Sequence, residues 1–249
     1  MNASISANPP PSKAPDASGL RIAGLTPYSS IDYPGCLSAV VWIQGCPWRC
    51  TYCHNPHLQS RTAPPQLHWS EVMAFLRKRV GLLDAVVFSG GEATTDRHLG
   101  AAMAEARALG YKIGLHTAGC YPERLRQVLP LVDWVGLDIK TLDHNYSVLT
   151  GVDGSECAVW QSLQLMQESN ISYQIRTTVH SRWLPVEQLC ELLQRLADSG
   201  VANFKLQFFR SDGCQNTELQ PESPRQYMSS SAVQKILKLF PLCLVDECL

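Results

Sequence analysis

The chain has 249 residues, a formal net charge of −1, 45% hydrophobic residues and 17% charged residues. That length can bury one large core or two small ones, and the composition is that of an ordinary globular protein. The charge balance gives no basic field for nucleic acid, ten cysteines are too few for a disulfide-dense scaffold, and no apolar run approaches the ~20 residues that span a bilayer.

In chain order, residues 1–18 come first, rich in Ala, Ser, Pro and Asn and lacking the basic start and apolar stretch of a secretory signal. They read as a disordered leader that need not pack, followed by one domain over residues 19–249 with a C-terminal extension from about residue 211. A cytoplasmic setting is expected, because reduced thiols persist there.

Strand candidates then follow at Ala39–Gln44, Ala85–Ser89, Lys112–His116, Val132–Lys140, Tyr173–Val179 and Phe204–Phe209. They are short, apolar and flanked by turn residues, as expected for strands buried in a parallel sheet. Between them the periodicity predicts helices over Trp69–Arg79, Leu99–Leu109, Pro122–Leu129, Glu156–Ser169 and Val186–Ser199, with a last one over Ser230–Leu239. The basic run Arg77-Lys78-Arg79 reads as the solvated face or end of a helix, and Ser211–Ser231 as a long polar loop. Alternating strands and helices suggest a doubly wound sheet or a partial barrel, and in both the ligands gather at the carboxyl ends of the strands.

The chemistry-bearing residues fall at those ends. After the first strand comes Gly-Cys-Pro-Trp-Arg-Cys-Thr-Tyr-Cys-His, with Cys46, Cys50 and Cys53 in C-x3-C-x2-C spacing. Three thiolates so spaced can surround one cuboidal iron–sulfur cluster, one per iron, leaving a fourth iron open to a substrate. Half of a zinc site or a redox-active C-x-x-C are the alternatives. The second strand runs into Gly90-Gly91-Glu92, where the glycines allow close backbone approach and Glu92 offers an acceptor for an ammonium group. The third ends in His116-Thr117-Ala118-Gly119, and the fourth in Asp138-Ile139-Lys140. The fifth carries Arg176, a charge that needs a partner inside an apolar strand, and the sixth ends at Arg210.

The cysteine loop followed by Gly-Gly-Glu resembles the radical S-adenosylmethionine (SAM) superfamily. The finer pattern is similar to anaerobic ribonucleotide reductase activating proteins, relatives of the pyruvate formate-lyase activases. It rests on Ser30-Ile31-Asp32-Tyr33-Pro34-Gly35, Gly45 to Cys50, Tyr52 to Pro56, Phe88 to Glu92, Asp133 to Lys140 and Arg176 to His180, within residues 20–210.

The resemblance implies a partial (β/α)6 TIM-like barrel. Cys46, Cys50 and Cys53 would hold a [4Fe-4S] cluster whose open iron chelates the amino and carboxylate groups of SAM. Tyr52 and His54 would line the adenine, and Gly90, Gly91 and Glu92 the methionine amino group. Asp138, Ile139 and Lys140 would lie near the ribose and carboxylate, with Arg176 and Arg210 as further contacts. It also implies one-electron cleavage of SAM and hydrogen abstraction from a glycine of anaerobic ribonucleotide reductase, or of another glycyl-radical enzyme. A low-potential donor of flavodoxin or ferredoxin type would supply the electron, with no nucleic-acid or membrane partner. Two positions depart from the pattern. Formate-lyase activases carry Asp-Thr-Asn-Gly, with an aspartate that helps hold a monovalent cation, where this chain has His116-Thr117-Ala118-Gly119. They also place a histidine near Arg210. The remaining cysteines, among them Cys214, Cys243 and Cys248, read as ordinary thiols.

Overall fold

The computed structural model describes residues 16–240 and 242–246. The first fifteen residues of the expected leader, and Cys248, lie outside them. Ala17–Gly19 already form a 3-10 turn, and Ala17 is buried in the main core.

One sheet of eight strands carries the fold, in spatial order the same as chain order. The strands are β1 (Ile22–Ser29), β2 (Ser38–Ile43), β3 (Ala85–Gly90), β4 (Lys112–Thr117), β5 (Trp134–Asp138), β6 (Ser172–Val179), β7 (Asn203–Phe208) and β8 (Leu242–Asp246). The helices are α1 (Trp69–Arg77), α2 (Leu99–Ala108), α3 (Pro122–Val128), α4 (Asp143–Thr150), α5 (Ser155–Glu168), α6 (Val186–Asp198), α7 (Arg225–Met228) and α8 (Ser231–Leu237). Strands β2 to β7 are parallel and alternate with helices, which is the expected (β/α)6 array. To this array β1 adds antiparallel to β2, and β8 adds parallel to β7. These two strands are the sheet's edges and leave it open. No helix among the described residues is long and apolar enough to cross a membrane.

The parallel strands are apolar on both faces because both are covered. Val41, Ile43, Val86, Phe88, Ile113, Leu115, Val135 and Leu137 join the helices in the main core. Alternate residues Val40, Ala85, Val87 and Trp134 pack on the other face with Tyr33 and Cys36, from the β1–β2 connection. Helix α6 shows why its segment is helical: Leu189, Leu192, Leu193 and Leu196 recur at three- and four-residue spacing and all are buried. Pro122 opens α3, where its fixed φ suits the first turn and its missing N–H costs nothing. Arg77-Lys78-Arg79 sits at the end of α1, as expected.

Four elements depart from the sequence-based expectation. Strands β1 and β8 and helix α4 lie in stretches for which no strand or helix is expected, and α7 interrupts the expected Ser211–Ser231 loop. Strand β5 is shorter than Val132–Lys140: Asp133 leaves the ladder, and its Oδ2 accepts the backbone N–H of Ile113 at 2.7 Å.

Candidate functional site

The cysteine loop leaves the carboxyl end of β2 and is held from two sides. On one side, Gly45 N donates to Leu58 O at 2.7 Å and Cys46 N to Gln59 O at 3.0 Å. Gly45 has φ +112°, and a side chain there would collide with Arg61. On the other side the loop docks on the last turn of α4, where Arg49 N donates to Thr150 O at 2.7 Å and Thr51 N to Leu149 O at 3.1 Å. Carbonyls of a final helical turn have no partner within the helix, so the loop satisfies them. Gly151, at φ +72°, ends the helix there.

Cys46, Cys50 and Cys53 are partly buried free thiols. Burial, with Glu92 adding to it, pushes the Cys46 thiol up to about 12. Burial also raises Cys50, against the opposing pull of Lys140. These two thiols therefore stay protonated at neutral pH until a metal displaces their protons. Among the described residues no three His, Cys, Asp or Glu side chains gather as a single-ion site. A cuboidal cluster, taking one thiolate per iron, does not need three sulfurs to meet at one ion.

Gly90-Gly91-Glu92 is built for packing as much as for access. A side chain on Gly90, at φ +127°, would strike Ile43 O, and one on Gly91 would come within 2.5 Å of Gly45 O. The glycines thus let β3 run flush against the base of the cysteine loop. Glu92 is 1% exposed. Its Oε1 accepts from Thr94 N at 3.1 Å, Thr94 Oγ1 at 2.6 Å and Thr117 Oγ1 at 2.7 Å, while Oε2 accepts from Ala118 N at 2.8 Å. Its carboxylate ties the turn after β3 to the turn after β4.

Asp138, at the end of β5, is the electrostatic centre. Arg176 lies beside it on β6 and gives two donors to Oδ1, Nε at 2.9 Å and a terminal nitrogen at 2.8 Å. Lys140 Nζ is 3.4 Å from Oδ2. Burial alone would raise the Asp138 carboxyl, but Arg176 and Lys140 together outweigh it and hold it low. The charge within β6 thus has its partner. Ile139 is fully buried, and its backbone rather than its side chain serves the site: N donates to Arg176 O at 3.0 Å, and O accepts Thr177 Oγ1 at 2.7 Å. His116 donates Nε2–H to Asp32 O at 2.8 Å. Burial first, then Arg176, takes its imidazole down to about 3, so it is neutral.

Tyr52 is 4% exposed, its hydroxyl unpartnered, with Lys140 Nζ 5.7 Å from its ring centre. His54 stacks on Phe209 and donates Nε2–H to Arg210 O at 2.9 Å. The link to Arg210 therefore runs through its backbone carbonyl, and the residue itself is exposed. The segment after β7 continues over the cysteine loop, with Gly213 against His54 O and Cys214 Sγ 3.9 Å from Thr51 O.

Tyr146 and the last turn of α4 were missed by sequence reasoning. Tyr146 is fully buried, accepts the backbone N–H of Lys140 at 2.8 Å, and meets Trp48 edge-on at 6.2 Å. Its segment Asp-His-Asn-Tyr-Ser-Val-Leu-Thr is short and polar, and only the Thr150-Gly151 end carries a stop signal.

A family profile described as the Radical SAM superfamily matches residues 40–182. Over 189 residues the chain is 26% identical to a protein of Methanocaldococcus jannaschii named as a glycyl-radical enzyme activating enzyme, covering 71% of this chain and 75% of that one. It is 31% identical to the pyruvate formate-lyase-activating enzyme of Clostridium pasteurianum over 137 residues, 53% of this chain and 57% of that one. In fold it is similar to Streptococcus suis SuiB bound to its precursor peptide, with a TM-score of 0.62 at 17% identity, covering 84% of this chain and 48% of SuiB.

Proposed function

Because the chain belongs to the radical SAM superfamily, we propose that it is an activase that abstracts a hydrogen atom from a backbone glycine of anaerobic ribonucleotide reductase. Membership implies a [4Fe-4S] cluster and SAM, and the residues present suit both. Three free thiols share one loop, a buried tyrosine hydroxyl stands unpartnered within it, and Lys140 faces the same space. When bound, the pair supplies one-electron cleavage of the sulfonium and the hydrogen abstraction that follows.

The protein's own part is holding and orienting. Cys46, Cys50 and Cys53 would hold the cluster, and α4 fixes the backbone between them. Lys140 and Arg176 set positive charge beside Asp138, a polarity suited to a ligand carrying a carboxylate and hydroxyls. Glu92 fixes the turn after β4 by accepting from Thr117 and Ala118. Gly90 and Gly91 bring backbone to the site's edge. No acid–base pair is needed. A low-potential flavodoxin- or ferredoxin-type donor and a cytoplasmic setting belong to the same reading.

The observation that carries it is the C-x3-C-x2-C loop beside Asp138, Lys140 and Arg176, in a chain similar over 71% of its length to a protein named as a glycyl-radical enzyme activating enzyme. The likeness to the clostridial enzyme favours a second reading, an activase of pyruvate formate-lyase type. Anaerobic reconstitution, reduction and addition of SAM with each candidate partner decides between them by the glycyl-radical EPR signal. A signal on the reductase alone supports the first reading, and on the lyase alone the second. SAM cleavage with neither signal sinks both activase readings, and an intact cluster that cleaves no SAM points to electron transfer.

A further inference from the structure

Helix α4 touches both halves of the site. Its last two carbonyls, Leu149 O and Thr150 O, receive the backbone N–H groups of Thr51 and Arg49 from the cysteine loop. Four residues earlier in the same helix, Tyr146 Oη receives the backbone N–H of Lys140 at 2.8 Å, at the point where the chain leaves β5. The Tyr146 ring meets Trp48, a residue of the cysteine loop, at 71°. Tyr146 thus contacts the loop through its ring and the Asp138–Lys140 segment through its hydroxyl, and it is fully buried. Tyr146 and α4 lie outside the cysteine, Gly-Gly-Glu and Asp-x-Lys segments on which the family resemblance rests.

We propose that Tyr146 is a positioning residue for the SAM site, its hydroxyl fixing the spacing between Lys140 and the cysteine loop. The inference rests on the cofactor reading above but not on the identity of the protein partner. The physical case is specific to the hydroxyl. Ring packing against Trp48 survives in phenylalanine, whereas the Lys140 N–H would be left buried without an acceptor. The strand end would then move to find one, carrying Lys140 and the Asp138 pair away from the loop.

Tyr111 supplies a matched control at the opposite end of the strands. It is buried just ahead of β4, and its hydroxyl donates to Leu76 O at 2.7 Å, so Tyr111→Phe removes one buried hydrogen bond without touching α4 or the cysteine loop. The test compares reconstituted wild type, Tyr146→Phe and Tyr111→Phe by iron content, Tm and SAM cleavage without partner. It adds the SAM concentration that half-converts the EPR spectrum of the reduced cluster. Tyr146→Phe should keep wild-type iron content and raise both the KM for SAM and the EPR midpoint about three- to ten-fold, the worth of one hydrogen bond. Tyr111→Phe should lower Tm comparably and leave both unchanged.

Equal KM shifts in the two variants, or no shift in Tyr146→Phe, would overturn the proposal. So would failure of Tyr146→Phe to fold, which would place the hydroxyl's role in the core. A wild type whose spectrum ignores SAM would overturn this inference and the cofactor reading together. Normal SAM cleavage without a glycyl radical on any partner would overturn the activase reading alone.

Discussion

Arg176 and Asp138 occupy paired positions on adjacent parallel strands, and both nitrogens of the arginine that reach the aspartate converge on the same oxygen, Oδ1. The other oxygen is thereby left to Lys140. One carboxylate balances two cations whose side chains are 15% and 14% exposed. The site is consequently charged before any ligand arrives.

Asp138→Asn should therefore cost more than a surface ion pair. It leaves two cations with little solvent and no counter-charge, and the loss should be about 2–3 kcal/mol, tempered by the partial exposure of Asp138. Adding Arg176→Gln should recover part of that loss, because one uncompensated cation disappears. Urea titration of the single and double variants measures the coupling, and strictly additive losses would show that the two residues do not share an interaction.

Glu92→Gln tests a different kind of constraint. The hydroxyls of Thr94 and Thr117 can rotate to suit an amide, but Thr94 N–H and Ala118 N–H cannot, and each faces its own carboxylate oxygen. Either orientation of the glutamine amide sets its NH2 against one of them. The variant should lose about 1–3 kcal/mol and several degrees of Tm. An unchanged melt would show that Glu92 is not the link between the two turns.

The parts of this architecture that are legible in the chain are those set by local pattern. Val40, Val41, Val86, Val87 and Phe88 belong to continuous apolar runs because both faces of β2 and β3 are covered, and such runs read directly as strands. Strand β1 does not, since Gly24 and Pro27 interrupt it and most of it is only partly buried at the sheet edge. Strand β8 is a different case: Leu242-Cys243-Leu244-Val245 is itself an apolar run, but four residues are too few for periodicity to settle their conformation. At the sheet edge Leu242 and Leu244 stay 59% and 54% exposed while Cys243 and Val245 pack on the core. The cysteine spacing and the Asp-x-Lys are visible because they are contiguous. The long-range partners of Glu92 are not, since Thr117 and Ala118 lie 25 and 26 residues away and meet it only through the β3–β4 pairing.

His116 should make part of the stability depend on pH. Its imidazole is held neutral in the folded chain, with a pKa lowered to about 3, whereas an unfolded histidine protonates near 6.5. Below that value the unfolded state takes up a proton that the native state refuses, so stability falls from about pH 6.5 down to about pH 3. The contribution at the acid end is about 3–5 kcal/mol. In His116→Asn the amide can still donate to Asp32 O but does not titrate. The difference in unfolding free energy between apo wild type and variant should therefore shift in the variant's favour as pH falls from 7 to 4. A difference that stays constant across that range would show that His116 titrates alike in both states.

Gly213 offers a way to move the segment that covers the cysteine loop without touching a charged group. It sits at φ +77°, a conformation costly for any residue with a side chain, and a Cβ there would also strike His54 O. Gly154 has φ +71° and nothing within 4 Å of the same construction point. The two alanine substitutions thus share the backbone penalty, about 1 kcal/mol, and differ only in the collision. Gly154→Ala should lose that amount and keep a normal KM for SAM. Gly213→Ala should lose an additional 1–2 kcal/mol or so and displace His54 from its bond to Arg210 O and its stack on Phe209. Proteolysis within residues 211–222 should then quicken and the KM for SAM should rise. If Gly213→Ala behaves like Gly154→Ala on all three measures, the segment yields freely, and its closure over His54 contributes nothing to the site.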